Sequence, residues 1–130
     1  MWERVPERYK YNWQHQRVIE PYLNWDCSGE GFEGIRAQDI LPLLLERFHV
    51  HRWAAWGGLL DQFIDRGYGH NFSASNADDI AFIDDLWAAD RALHRLGATT
   101  PTQTIAVLKK EPGTLVSSDG LIPARCIRKP

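Results

Sequence analysis

A chain of 130 residues with 44% hydrophobic and 25% charged residues is long enough for one domain with a buried core and too apolar for general disorder. Its net charge of −2, without a basic block, argues against a nucleic-acid-binding protein. Its apolar runs are far shorter than the ~20 residues that span a bilayer, and the N-terminus lacks the apolar centre of a signal peptide. With only Cys27 and Cys126, the composition favours free thiols over a disulfide framework and predicts a cytoplasmic protein.

The first 36 residues are predicted to form an irregular segment rich in aromatic side chains. They have no sustained helical or strand period, and Gly29, Gly31 and Gly34 mark the end of the segment as a loop. A long irregular stretch in a compact domain is uncommon unless it binds a ligand or packs against a neighbour. This glycine-rich loop does not follow a strand and carries Glu30 and Glu33, so it is not a nucleotide-binding loop; the two carboxylates are weak candidates for general bases.

Hydrophobic spacing and end signals predict the elements that follow. Residues 37–47 have apolar side chains at helical spacing, and residues 48–56 alternate as in a strand that ends at the Gly57-Gly58 pair. A short helix over 59–66, a long helix from about 76 to 95 and a second strand over 102–109 complete the pattern. We therefore predict an α+β fold, with helices packed on a small antiparallel two-stranded sheet. Residues 1–111 would form a single domain and residues 112–130 a surface tail.

Three local patterns carry weaker hints of chemistry. His49 and His51 could place two imidazoles on one strand face, but a zinc site needs three or four ligands, so packing or solvated histidines are favoured. Asp90 and His94 lie one helical turn apart and could form an acid–base pair, although the spacing also suits simple helix stabilisation. The Gly57-Gly58 turn could present backbone amides to an anion, though such a pair more often only turns the chain.

Residues 37–110 resemble the C-terminal region of class I S-adenosylmethionine-dependent methyltransferases. The resemblance rests on residues 40–50 (Ile-Leu-Pro-Leu-Leu-Leu-Glu-Arg-Phe-His-Val), the Gly57-Gly58 turn, the acidic and apolar helix through Asp90, and residues 102–110. Residues 6–12 resemble the lid-like stretch after strand five in members encoded with bacterial surface-polysaccharide genes. In that family, the helix and strand before Gly57 resemble the approach to strand six, and residues 102–109 resemble strand seven, which returns antiparallel. The family's glycine-rich loop and acidic ribose ligand are absent, so the resemblance implies no bound cofactor for this chain alone and S-adenosylmethionine for a complete enzyme.

Two functions stay open at this point. The resemblance implies the substrate-side part of a methyltransferase, inactive alone, in which Trp25, Glu33, His70 and Asn71 would lie near an acceptor such as a sugar. The alternative is a stand-alone dimerisation or protein-interaction module, which explains the six tryptophans and the missing catalytic set equally well. Because the family's strand five is missing, strand 102–109 would present an open edge. We expect a second copy or the N-terminal segment to cover that edge.

Overall fold

The computed structural model describes residues 2–22 and 36–127. Their elements in chain order are β1 (Tyr11–Asn12), β2 (Arg17–Val18), α1 (Ala37–Arg47), β3 (His49–Trp56), α2 (Asp61–Ile64), α3 (Ala77–Leu96), β4 (Gln103–Lys109) and β5 (Val116–Ser117). Short 3₁₀ turns lie at Trp2–Arg4, Glu7–Tyr9, Gly69–Asn71, Ser118–Gly120 and Pro123–Cys126. The mixture confirms the α+β class, and the predicted bounds of the two main helices and two main strands agree with the structure to within about one residue at each end.

These elements belong to two compact units. The first unit contains residues 2–22 and 59–90, and the second contains residues 36–58 and 91–127. Helix α3 therefore contributes to both units, since its residues up to Asp90 belong to the first and those from Arg91 to the second. The single domain expected over residues 1–111 stays a prediction, and the described residues form these two units.

The core of the first unit is largely aromatic. Val5, Tyr9, Leu60, Phe63 and Leu86 are buried together, and partly buried rings pack around them, including those of Trp2, Phe72, Phe82 and Trp87. The N-terminal segment, which has no regular period in sequence, joins this core because its 3₁₀ turns place Val5 and Tyr9 inward. Burial of such large apolar side chains stabilises a fold that has little regular structure at its N-terminus.

A buried polar contact fixes the same segment to the start of α3. The Tyr9 hydroxyl donates to Asp79 Oδ1 at 2.6 Å, and the Ser73 backbone N–H donates to Asp79 Oδ2 at 3.0 Å. Arg8 adds an ion pair to Asp79 at 3.1 Å. The hydrogen bond from Tyr9, followed by that from Ser73, holds the pKa of the Asp79 carboxyl below its ordinary value. The side chain of Asn76 accepts from the N–H groups of residues 78 and 79 and so caps α3.

The second unit is built on a three-stranded sheet in the order β4-β3-β5. Strands β3 and β4 pair antiparallel, with Trp53 opposite Ala106 and Ala54 opposite Ile105, which confirms the predicted two-stranded pairing. Strand β5 adds a third strand parallel to β3, with Arg52 opposite Val116. The sequence predicts a surface tail from residue 112, whereas in the structure this segment contains strand β5.

One face of the sheet carries the core of the second unit. Trp53 and Ala55 of β3 are buried there against Leu121 and Cys126, with Leu41 of α1 packed alongside. Leu121 and Cys126 belong to the segment that was expected to be a surface tail. Their contacts with the buried residues of β3 hold this segment against the sheet. The Cys126 thiol is free, and burial raises its pKa.

None of the helices in residues 2–22 and 36–127 is long and apolar enough to cross a membrane.

Candidate functional site

The most distinctive surface of the second unit is the sheet face opposite its core. Side chains alternate between the two faces of a strand, so Ile105 and Val107 of β4 point away from the face that holds Trp53 and Ala55. Ile105 is 65% exposed and Val107 is 44% exposed. Val116 of β5 is 56% exposed, and its register opposite Arg52 places it on the same face. We call this surface, defined by Ile105, Val107 and Val116, the open sheet face.

Strand β4 is also an edge of the sheet. Its only partner among the described strands is β3, so its outer side presents backbone N–H and C=O groups over residues 103–109. Six of the seven residues of β4 are exposed, and Leu108 is half-buried. An edge strand of this length with apolar side chains is a template for pairing with another strand. The structure therefore combines an open edge and an apolar face in one element.

Two of the predicted substrate residues, His70 and Asn71, lie in the first unit beside Trp13. The Trp13 indole N–H donates to Asn71 Oδ1 at 2.8 Å, and the ring of Trp13 meets that of His70 edge-on, with centroids 5.8 Å apart. The ring of Tyr11 also meets that of Trp13 edge-on, with centroids 5.3 Å apart. Trp13 is 49% exposed and His70 is exposed, so this aromatic surface faces outward.

Asn71 itself has a structural role at this surface. Its side-chain N–H₂ donates to the backbone carbonyls of Tyr11 at 2.8 Å and Tyr9 at 3.3 Å, while its Oδ1 accepts from Trp13. Both ends of the amide are therefore used within the fold. Asn71 positions Trp13. The sequence analysis did not include Trp13 among the site residues, although it lies in the segment rich in aromatic side chains. The other two predicted substrate residues, Trp25 and Glu33, lie outside the described residues, as do Cys27 and Glu30.

A cleft of about 800 Å³ opens in the second unit. The residues that line it include Gly58, His94, Gly97, Thr99, Thr100 and Arg125. His94 is buried, whereas Arg125 is exposed. The sequence placed Gly58 at a possible anion-binding turn and His94 in a possible acid–base pair, but it gave no sign that Thr99, Thr100 and Arg125 would join them. Thr99 and Thr100 follow α3, whereas Arg125 lies in the C-terminal segment, and the tertiary fold brings the two segments together.

The remaining candidates are held in ordinary structural contacts. The Asp90 carboxylate is buried and accepts from the Leu59 N–H at 2.9 Å in the first unit. The His51 ring lies 3.0 Å from the Glu111 carbonyl oxygen, and His49 is exposed. No three His, Cys, Asp or Glu side chains within residues 2–22 and 36–127 are placed to share a metal ion.

Comparison of the chain with protein-family models, with curated proteins and with solved structures found no match.

Proposed function

We propose that this chain is an assembly module that forms a homodimer by pairing β4 with β4 of a second copy. The observation that carries the proposal is the open edge of β4, whose exposed Ile105 and Val107 lie beside backbone groups that pair with no other strand among the described residues. Antiparallel addition of a strand would satisfy those backbone groups and bury apolar surface in a single step.

The sequence of β4 suits pairing with itself. When Ala106 lies opposite its own copy, all seven residues of the strand find a partner: Ile105 faces Val107, Thr104 faces Leu108 and Gln103 faces Lys109. No like charges are opposed in this register, and the two apolar pairs are of a kind that stabilises antiparallel sheets. A shift of the symmetry centre to a neighbouring residue shortens the ladder. The strand therefore has one preferred self-pairing register, as a symmetric dimer interface requires.

Pairing in this register also makes the open sheet face continuous across the two copies. A two-fold axis perpendicular to the sheet keeps Ile105 and Val107 of both chains on the same side, giving a six-stranded sheet in the order β5-β3-β4-β4-β3-β5. Arg52 of β3 lies opposite Val107 and is exposed on the same face of the sheet. Its charge stays solvated at the margin of the apolar pairs, where it costs little.

Sedimentation velocity of the full chain over a wide concentration range tests this proposal. We expect a species of about 30 kDa, twice the 15.0 kDa of one chain, that dissociates on dilution. Ile105→Lys should weaken the dimer, because each dimer would lose two cross-strand pairs of Ile105 with Val107. Ile40→Lys is the matched control, since Ile40 is 58% exposed on α1 of the same unit, and this variant should stay dimeric. A wild-type chain that stays monomeric at every concentration, or dissociation of both variants alike, would contradict the proposal.

A second candidate is the substrate-side part of a methyltransferase. What supports it is the antiparallel pairing of β3 with β4 and the free outer edge of β4, because the resemblance implies that strand five would pair there. An uninterrupted reading frame upstream of Met1 that encodes a strand and a glycine-rich loop would favour this candidate. A stop codon in that frame, with a ribosome-binding site before Met1, would favour the dimerising module.

A further inference from the structure

We infer that the first unit binds a small organic cation of the quaternary ammonium class in the corner between the rings of Tyr11 and Trp13, beside His70. We call these three rings the aromatic corner. This inference is independent of the proposed dimer, because the aromatic corner lies in residues 11–13 and 69–71 of the first unit, whereas the dimer uses β4 of the second unit.

The rings of Tyr11 and Trp13 stand almost at right angles to each other. Their planes meet at 80° with centroids 5.3 Å apart, and the ring of His70 meets that of Trp13 at 64° with centroids 5.8 Å apart. In an edge-to-face contact, the edge of one ring covers only part of the face that it meets. A compact cation in such a corner contacts the negative faces of two rings at once, which is how aromatic residues recognise quaternary ammonium groups.

Solvent reaches the aromatic corner. Among the phenylalanine, tyrosine and tryptophan side chains in the described part of the chain, only that of Trp13 is exposed, and its exposed fraction is 49%. His70 is exposed as well, and Tyr11 is half-buried. Tryptophan is highly buried on average, because its large apolar surface is costly to leave in water. A ligand that covers Trp13 would remove this cost.

Hydrogen bonds fix Trp13 in this exposed position. Its backbone N–H donates to the Gly67 carbonyl at 2.8 Å, and its indole N–H donates to Asn71 Oδ1 at 2.8 Å. Asn71 also donates to the carbonyl of Tyr11 at 2.8 Å and so holds both strands of the corner's framework together. Because the indole N–H is already used within the protein, the ring offers a ligand its π surface and no hydrogen-bond donor. Such a preformed surface reduces the entropy lost on binding.

The charges of the first unit favour a cation over an anion. Its described residues include ten aspartates and glutamates but only five lysines and arginines, and such an excess of negative charge raises the local concentration of cations. Asp65 Oδ1 accepts from the N–H of Gly67 at 2.7 Å, and the carbonyl of Gly67 accepts from Trp13, so this carboxylate lies close to the turn that carries Trp13. The ammonium group of Lys10, which precedes the corner, is paired with Glu20 at 2.6 Å.

A titration of the ¹⁵N-labelled full-length chain with choline chloride, followed at the indole and amide N–H signals, tests the inference. Sodium chloride at equal ionic strength is the blank. Neohexyl alcohol, which has the shape of choline but a neutral carbon in place of the charged nitrogen, measures the contribution of charge. We expect saturable shifts at the Trp13 indole and at the amides of Tyr11 and His70 with choline, and a Kd at least about fivefold higher for the neutral alcohol. Shifts that never saturate, that are centred elsewhere or that are equal for the two compounds would overturn the inference.

Variants make the test residue-specific, with binding followed at the amide of His70. Trp13→Leu should raise the Kd of choline at least about fivefold, since tryptophan provides the strongest π contact for a cation. Tyr11→Leu removes the second ring and should raise the Kd by a smaller factor. Ile80→Ala is the matched control, because Ile80 is 44% exposed on α3 of the same unit, and this variant should bind choline as the wild type does. Equal affinities of Trp13→Leu and Ile80→Ala would overturn the inference, and the comparison of choline with neohexyl alcohol on the wild type decides independently should a variant fail to fold.

Discussion

Phe63 is the residue whose truncation should weaken the first unit most. Its side chain is 2% exposed, and its ring lies 5.8 Å from that of Trp2, 5.6 Å from that of Phe82 and 6.5 Å from that of Phe72, measured between centroids. Phe63→Ala removes the ring that these three share. A cavity of that size in a packed core costs about 3–5 kcal/mol in the free energy of unfolding. That loss is a large fraction of the roughly 5–15 kcal/mol that stabilises a whole domain.

Urea unfolding monitored by far-UV circular dichroism measures this loss. With the usual dependence of about 1–3 kcal/mol per molar urea, the midpoint of the first unit should fall by at least about 1 M in Phe63→Ala. Ile64→Ala is the matched control, because Ile64 follows Phe63 on α2 and is 50% exposed. Its truncation should cost less than about 1 kcal/mol. Equal midpoints for the two variants would refute the assignment of Phe63 to the core.

Two further predictions concern single contacts. Tyr9→Phe removes the hydroxyl that depresses the pKa of Asp79 below its ordinary 3.8, so the wild type should lose stability as pH falls through that lowered pKa, and the variant should lose less over the same acidic range. Tyr11→Phe should leave the acid dependence unchanged; identical pH profiles for the wild type and Tyr9→Phe in urea unfolding would count against the contact. Gly97→Ala should lower stability by about 1 kcal/mol, because the φ of +70° at this position is strained for alanine; an unchanged thermal midpoint would argue against this helix ending.

The sequence predicts the regular elements well and the packing of the irregular ones poorly. Helices α1 and α3 and strands β3 and β4 follow from hydrophobic spacing, a capping asparagine and glycines at their ends. Strand β5 has only two residues, Val116 and Ser117, which is too short for any period to be visible. Its place in the sheet depends on pairing with β3, a contact between residues more than sixty positions apart.

The candidate sites show the same division. The open edge of β4 could be expected from the sequence, since residues 105–108 are apolar and the resemblance implies a missing neighbour. The roles of Asn71 and Trp13 could not, because the hydrogen bond between them joins residues 58 positions apart. The cleft near Arg125 is likewise a product of tertiary folding, in which segments without a common motif converge.

Cross-linking at the proposed two-fold axis tests the dimer most directly. In the proposed register, Ala106 faces its own copy with Cα atoms about 4.5–5.5 Å apart, a separation that a disulfide can span. Thr104 lies on the same face of β4 but would be about 13 Å from its own copy, which is too far. Mild oxidation should therefore link Ala106→Cys into a covalent dimer and leave Thr104→Cys at the background set by wild-type Cys27 and Cys126. Failure of Ala106→Cys to cross-link, or equal cross-linking of both variants, would contradict pairing of β4 with itself.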